Sequence, residues 1–304
     1  MRLRLLGTAA GGGVPQWNCN CRICNEARAG SGRVRCRTQS SIAISADDRH
    51  WFLLNASPDL RAQMEAFPSL HPPGGAMRGS PIQGVLLTNA DLDHTLGMLF
   101  LREGEKLSVH ATESVRASLT ECGFGNVMSA FCGIEWVHPP AQLSPLLNRD
   151  GSETGLLYRF ISLGGRPPGF AKRSLAGPNH VVGYLFVDKK TKGRLLYLPD
   201  VPALPQEVKD LLNDCDVLLF DGTFCSETEM QERGTGDKTA SQMGHLPILG
   251  PNGSLKVLER AKIKQKIYIH INNTNFILLE GSEERAQVEA AGCVVGDDGM
   301  ELTV

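Results

Sequence analysis

The sequence predicts an α/β protein built as a four-layer αββα sandwich, two mixed β-sheets with helices outside. Three observations carry this. Short strand-like runs outnumber helical ones, cluster early and then alternate with helices. Several runs are apolar at consecutive positions, as strands covered on both faces should be. No linker divides the 304 residues, so 1–304 reads as one domain.

Residues 2–6 read as a first strand entering the turn Gly11-Gly12-Gly13. Gly7 breaks the apolar pair Leu5-Leu6 too soon for the core of a signal peptide. Further strands are expected over 41–45, 51–56, 84–88, 107–111, 134–138, 156–162, 181–187, 194–198, 217–221 and 266–271. The tail 294–304 reads as a hairpin turning at Asp297-Asp298-Gly299. Ser57-Pro58 opens a helix as N-cap and first residue, running to about Phe67. Other helical patterns cover 93–102, 113–121, 204–213, 254–262 and 283–291. The stretch 164–177 is long, glycine-rich and basic, the composition of a loop that closes over a pocket.

Lys+Arg is 31 and Asp+Glu 33, and 31 − 33 = −2 leaves no basic footprint for nucleic acid or an anionic membrane. A hydrophobic fraction of 41% excludes disorder. No run approaches the ~18 apolar residues of a membrane helix, so a cytoplasmic protein is expected. The nine cysteines are odd in number. A chain this long buries roughly three quarters of its unfolded surface without staples, so a disulfide scaffold is not expected.

Cys19-Asn20-Cys21-Arg22-Ile23-Cys24 places three thiols within six residues. Such a run wraps three sulfurs around one tetrahedral ion and suits structural zinc, with a fourth ligand from elsewhere. A redox pair is the rival, but thioredoxin-like motifs have no third cysteine. The other six cysteines show no ligand spacing and read as buried small residues. A second cluster lies in GVLLTNADLDHTLG, where a buried strand delivers Asn89, Asp91, Asp93 and His94 into a turn that opens a helix. Carboxylates and an imidazole converging past a strand end suit a divalent cation. Capping of the helix explains one carboxylate but not two followed by His and Gly.

This turn resembles the H-x-H-x-D-H hallmark of the metallo-β-lactamase superfamily. The order of later motifs fits it too, with Asn179-His180, Tyr197-Leu198-Pro199-Asp200 and Ile267-Tyr268-Ile269-His270 each at a strand end. Within the superfamily the chain is similar, over nearly its whole length, to a family of pyrroloquinoline quinone (PQQ) biosynthesis proteins. The segments GTAAGGGVPQWNCNCRIC, LLNASPDLRAQ, LLTNADLDHTLG, FDGTF and GDDGMELTV carry that similarity.

The resemblance implies an active-site metal held by Asp93, His94, Asp200 and His270, with His180 as a further candidate. Met243-Gly244-His245 falls where phosphodiesterase relatives place an active-site histidine, so His245 and Asp91 are the candidate catalytic residues. Asn273 stands where related enzymes complete a structural zinc site, and becomes the candidate fourth partner of Cys19, Cys21 and Cys24. Asn89 and Asp91 replace the first two histidines of the hallmark, which weakens one of the usual two metal positions. Two histidines and a carboxylate with open positions form the pattern of non-haem Fe(II) oxygenases. The family is associated with Fe(II)-dependent hydroxylation of the tyrosine ring in a crosslinked Glu-Tyr precursor. A metal-dependent hydrolase and a carrier of PQQ or its precursor are the alternatives. Arg22, Arg35, Arg37, Lys172 and Arg173 are candidate anchors for a carboxylate-rich substrate, against the reading of scattered surface charge.

Overall fold

The structure is a computed structural model that describes residues 1–171 and 177–304. Its strands are β1 Arg2–Gly7, β2 Ser41–Ser45, β3 Trp51–Leu54, β4 Ile82–Leu86, β5 Leu107–His110, β6 Ile134–Val137, β7 Ser144–Leu147, β8 Glu153–Gly164, β9 Val181–Asp188, β10 Arg194–Leu198, β11 Val217–Asp221, β12 Gln265–Ile269, β13 Cys293–Val295 and β14 Glu301–Thr303. Its α-helices are α1 Arg22–Arg28, α2 Leu60–Glu65, α3 Leu92–Thr95, α4 Glu113–Glu121, α5 Phe124–Ser129, α6 Gln206–Leu212, α7 Glu229–Glu232, α8 Ala240–Met243, α9 Ser254–Arg260 and α10 Glu283–Ala290.

The strands form two sheets of seven, in the orders β14-β1-β2-β3-β4-β5-β6 and β13-β12-β11-β10-β9-β8-β7. Both are mixed. β1, β2 and β3 pair antiparallel, then β3 to β6 parallel. β7 to β10 pair antiparallel, then β10 to β13 parallel. Alternate residues sort between two buried faces. Leu3, Ile42, Phe52, Tyr184, Tyr197, Leu219 and Ile267 pack between the sheets. Leu196, Leu218, Phe220 and Tyr268 face α6, α9 and α10 on the outer side of the second sheet. Trp51, Leu53 and Val85 face α2, α4 and α5 outside the first. This is the αββα sandwich that consecutive apolar strand positions demand, because each sheet must be covered twice. No helix among the described residues is long and apolar enough to cross a membrane.

Some local expectations change. The tail is not a hairpin: β13 pairs with β12 in one sheet and β14 with β1 in the other. Each short run finds a free edge on a different sheet, and the turn between them crosses the sandwich. Ser57 does not cap α2; its hydroxyl accepts from the Asp59 amide in a turn, and Asp59 occupies the N-cap position. The helix expected over 93–102 is α3 followed by 3₁₀ turns over Leu96–Glu103. Helix α1 lacks an apolar repeat of its own and was not expected. Residues 172–176 of the basic loop, including Lys172 and Arg173, lie outside the described residues.

Gly97 explains the glycine that follows the acidic turn. A Cβ there would meet the main-chain oxygen of Ser57 at 2.1 Å. Its amide donates to the Ala56 carbonyl (2.9 Å), and the Ala56 amide donates to the His94 carbonyl (2.7 Å). This two-way clasp fixes the turn against the end of β3. Gly97→Ala should therefore cost about 1–3 kcal/mol in urea unfolding; an unchanged midpoint would contradict the clasp.

Candidate metal centre

The first sheet supplies the acidic turn. Asp91 occupies the N-cap position of α3 in extended backbone, yet its carboxylate makes no capping bond, so capping does not account for it. Asn89 is buried and straps the turn across the sandwich. Its Nδ2 donates to Asp200 Oδ2 (3.1 Å), and its Oδ1 accepts from the Asp91 amide (3.0 Å). The second sheet supplies the remaining groups from its strand ends. Asp200 follows β10, Asp221 ends β11, His245 follows α8 and His270 follows β12.

His270 Nε2 lies 3.2 Å from Asp93 Oδ2 and 3.7 Å from Asp200 Oδ1. His94 Nε2 lies 3.8 Å from Asp93 Oδ2, and its Nδ1 3.5 Å from Asp200 Oδ2. Two donor sets result, Asp93/His94/His270 and Asp200/His245/His270, each with ligand atoms within 4.8 Å and sharing His270. His94 is fully buried, and its Nε2 has no hydrogen-bond partner among the described residues. A buried ring nitrogen left unpaired beside a carboxylate fits a cation position. His180 is buried ahead of β9 but belongs to neither set.

Behind the imidazoles stand groups that sequence reading missed. Asp221 is fully buried. Its Oδ1 accepts from the amide and hydroxyl of Thr223 (2.9 and 2.6 Å), and its Oδ2 from the Val201 amide and His245 Nδ1 (both 2.8 Å). Thr223 Oγ1 in turn stands 2.8 Å from His270 Nδ1. With its proton given to Asp221, that hydroxyl accepts from His270 Nδ1–H. One carboxylate thereby selects the tautomer of two histidines and leaves both Nε2 atoms for the site. On the other side, Asn55 Nδ2 and Thr88 Oγ1 lie 2.9 and 3.1 Å from His94 Nδ1. Asn55 and Asp221 end apolar strand runs, the same signal that singled out His270. His270 itself has φ +54°, a left-handed backbone uncommon for a side chain of its kind.

The charges balance through protons. Burial opposes a charged His270, but Asp200 and Asp93 outweigh it and raise its pKa to about 10. Burial likewise opposes ionised Asp93, yet His94 and His270 hold it well below the usual carboxylate range. Against its own burial, His245 is pushed up by Asp221. Asp91 sits exposed at the rim; desolvation on its inner side, with Asp93 and Asp200 nearby, raises it to about 6.

The cysteines also converge. Cys19, Cys21 and Cys24 present their sulfurs within 4.8 Å of one another. The Asn273 carbonyl lies 3.3 Å from Cys21 Sγ, and its Nδ2 lies 3.3 Å from Cys24 Sγ and 3.7 Å from Cys21 Sγ. The side-chain atom facing the sulfurs is thus a donor, and the oxygen within reach is the main-chain one. Burial pushes the Cys21 thiol up to about 12. The candidate anchors divide. Arg35 pairs with Asp297. Arg37 is buried against Thr8 Oγ1 (2.8 Å) and the Gly296 carbonyl, so it clamps the chain's own backbone and is not open to a substrate. Arg22 is exposed and, among the described residues, free of such ties.

The pattern of the Beta-lactamase superfamily domain matches residues 50–271. A coenzyme PQQ synthesis protein B of Methylorubrum extorquens is 42% identical over 305 residues, 99% of each chain. That of Methylobacterium radiotolerans is 40% identical over 311 residues, covering all of both chains. The crystal structure of Zn(2+)-bound PqqB from Methylobacterium extorquens is 40% identical, covers both chains fully and superposes with a TM-score of 0.89. A diphosphatase of the PhnP family, 19% identical with a TM-score of 0.66, covers 99% of this chain and 97% of its own and shares the fold. With such likeness along its full length and the superfamily pattern across both sheets, the chain belongs to the coenzyme PQQ synthesis protein B family of the β-lactamase superfamily.

Proposed function

We propose that this protein takes part in PQQ biosynthesis as a non-haem Fe(II)-dependent oxygenase that hydroxylates the tyrosine ring of a crosslinked Glu-Tyr precursor. The names of its relatives support the pathway. One observation carries the chemistry: two imidazoles and a carboxylate, His94, His270 and Asp93, present their ligand atoms within 4.8 Å of one another. Gly11 is exposed there, and a Cβ on it would come within 3.3 Å of Asp93 Oδ2. Asp200 is the additional carboxylate within reach of both histidines.

Iron held by these residues would supply the one-electron and oxygen chemistry that no side chain here possesses and zinc does not offer. The chain's own groups hold and move protons. His245, whose hold on its proton Asp221 strengthens, orients the substrate phenol or donates to it. Asp91, with a pKa of about 6 at the rim, takes the proton that leaves the ring as C–H becomes C–OH; one atom of O2 enters the ring, and the other leaves as water with two electrons and two protons from an external reductant of the ascorbate class. Cys19, Cys21 and Cys24, with Asn273 as fourth partner, hold a structural zinc that ties the N-terminal loop to the segment after His270.

Protein loaded with Fe(II) and given the amino-acid precursor and ascorbate without oxygen should form no product, and admitting air should start turnover. Equal turnover by zinc-loaded protein would end the oxygenase reading. Metal analysis should separate the two sites: His94→Ala should lose iron and keep zinc, Cys21→Ala the reverse, and joint loss in either variant would refute independence. In metal-free protein the folded state holds the His270 proton with a pKa of about 10, against 6.5 for the free side chain. That stabilisation is complete below pH 6.5 and is lost as pH rises towards 10. The melting temperature of the metal-free protein should fall across this window, and His270→Gln should remove the slope; a slope unchanged by that substitution would contradict the assignment.

A further inference from the structure

We propose that a surface cleft beside the cysteine cluster binds an acidic peptide segment through Arg22, Arg33 and Arg233. The three arginines come from separate parts of the chain. Arg22 opens α1 directly after Cys21, Arg33 lies in the loop beyond α1, and Arg233 follows α7. They line a cleft of about 330 Å³ together with Phe276, with Glu283 and Glu284 also in its wall. The Arg233 guanidinium lies 3.7 Å from the Phe276 ring centroid and that of Arg22 5.8 Å, so one aromatic ring orients two cations.

Their forks are not taken. Among the described residues Arg22 has no carboxylate partner. Arg33 reaches Glu26 only at 3.7 Å and Arg233 reaches Glu284 only at 3.6 Å. Both exceed the ~2.7–2.9 Å of a charge-assisted hydrogen bond. Elsewhere on the surface Arg4, Arg149 and Arg194 hold carboxylates at 2.6, 2.9 and 2.9 Å. Guanidinium groups whose nearest carboxylates stand beyond hydrogen-bond distance keep their forks available to an added anion. The chain's net charge is −2, so this convergence is local and not a bulk excess.

The arrangement favours a chain over a small anion. The guanidinium groups stand on three elements, so two or more carboxylates spaced along a peptide engage separate forks where one small anion does not. Glu284 lies 3.6 Å from Arg233, so a carboxylate is opposed more there than at Arg22, which has no carboxylate partner among the described residues. The cleft is separate from the histidine–carboxylate centre and uses none of its residues.

The test is fluorescence anisotropy of a labelled hexaglutamate peptide, with hexaglutamine as control. Saturable binding is expected that weakens with salt between about 50 and 200 mM. Arg22→Gln and Arg33→Gln should each weaken it about threefold, and Arg22→Gln with Arg233→Gln about tenfold. Arg33→Gln leaves both contacts to Phe276 in place, and melting temperatures confirm that each variant folds. Arg149→Gln, a surface arginine elsewhere, should leave binding unchanged. No binding by the wild type, equal affinity in the cleft variants, equal loss in Arg149→Gln, equal binding of hexaglutamine, or displacement by glutarate at the peptide's own concentration would each overturn the proposal.

Discussion

Asp221 is a charge removed from water at the end of a buried strand, and it is tolerable there because four donors meet it. Those donors do more than neutralise. The Val201 amide ties the carboxylate to the turn after β10, His245 is fixed directly and His270 is fixed through the Thr223 hydroxyl. A single desolvated carboxylate therefore sets the order of three strand ends and the proton positions of two imidazoles. In low dielectric such a network is costly if one member is lost, which keeps the groups in a single arrangement.

The first sheet adds its half by backbone clasp. Gly97 lets the turn after β4 lie against the Ala56-Ser57 backbone, and His94 is held there by hydrogen bonds at both its carbonyl and its ring. Asn89 then joins this half to Asp200 in the other. The candidate metal centre is a seam between two sheets, each of which brings its own side chains already oriented.

A third connection runs through the N-terminal loop. Ala9 bridges Gln39 of the first sheet's approach and Ile271 beyond His270. Asp298 accepts from Thr8 and Thr38, and Arg37 holds Thr8 from the other side. The loop that leaves this knot passes Asp93 at Gly11 and reaches the cysteines, whose sulfurs meet Asn273. The cysteine cluster and the histidine centre are thus mechanically joined through residues 270–273, although each has its own donors.

Much of this was legible in the chain. Consecutive apolar positions required sheets buried on both faces, and the C-x-C-x-x-C and acidic-histidine runs announced clustered donors, because both are local patterns whose chemistry depends on spacing. Three strands, 41–45, 194–198 and 217–221, coincide with their expected bounds, since each is a buried apolar run cut off by polar residues. The tail could not be read this way: β13 and β14 look like a hairpin locally, and only the free edges of two different sheets separate them. The roles of Asp221, Thr223, Asn55 and Thr88 were equally hidden, because a hydrogen bond between residues far apart in sequence leaves no periodic trace. Arg37 and Arg22 look alike in sequence, yet one is buried as a clamp and the other stands open in a cleft. By itself the sequence determined the layered architecture and the donor types that cluster, which follow from local patterns of polarity. Only the tertiary structure decided which donors meet and in which tautomer, because those depend on strand ends that two separate sheets bring together.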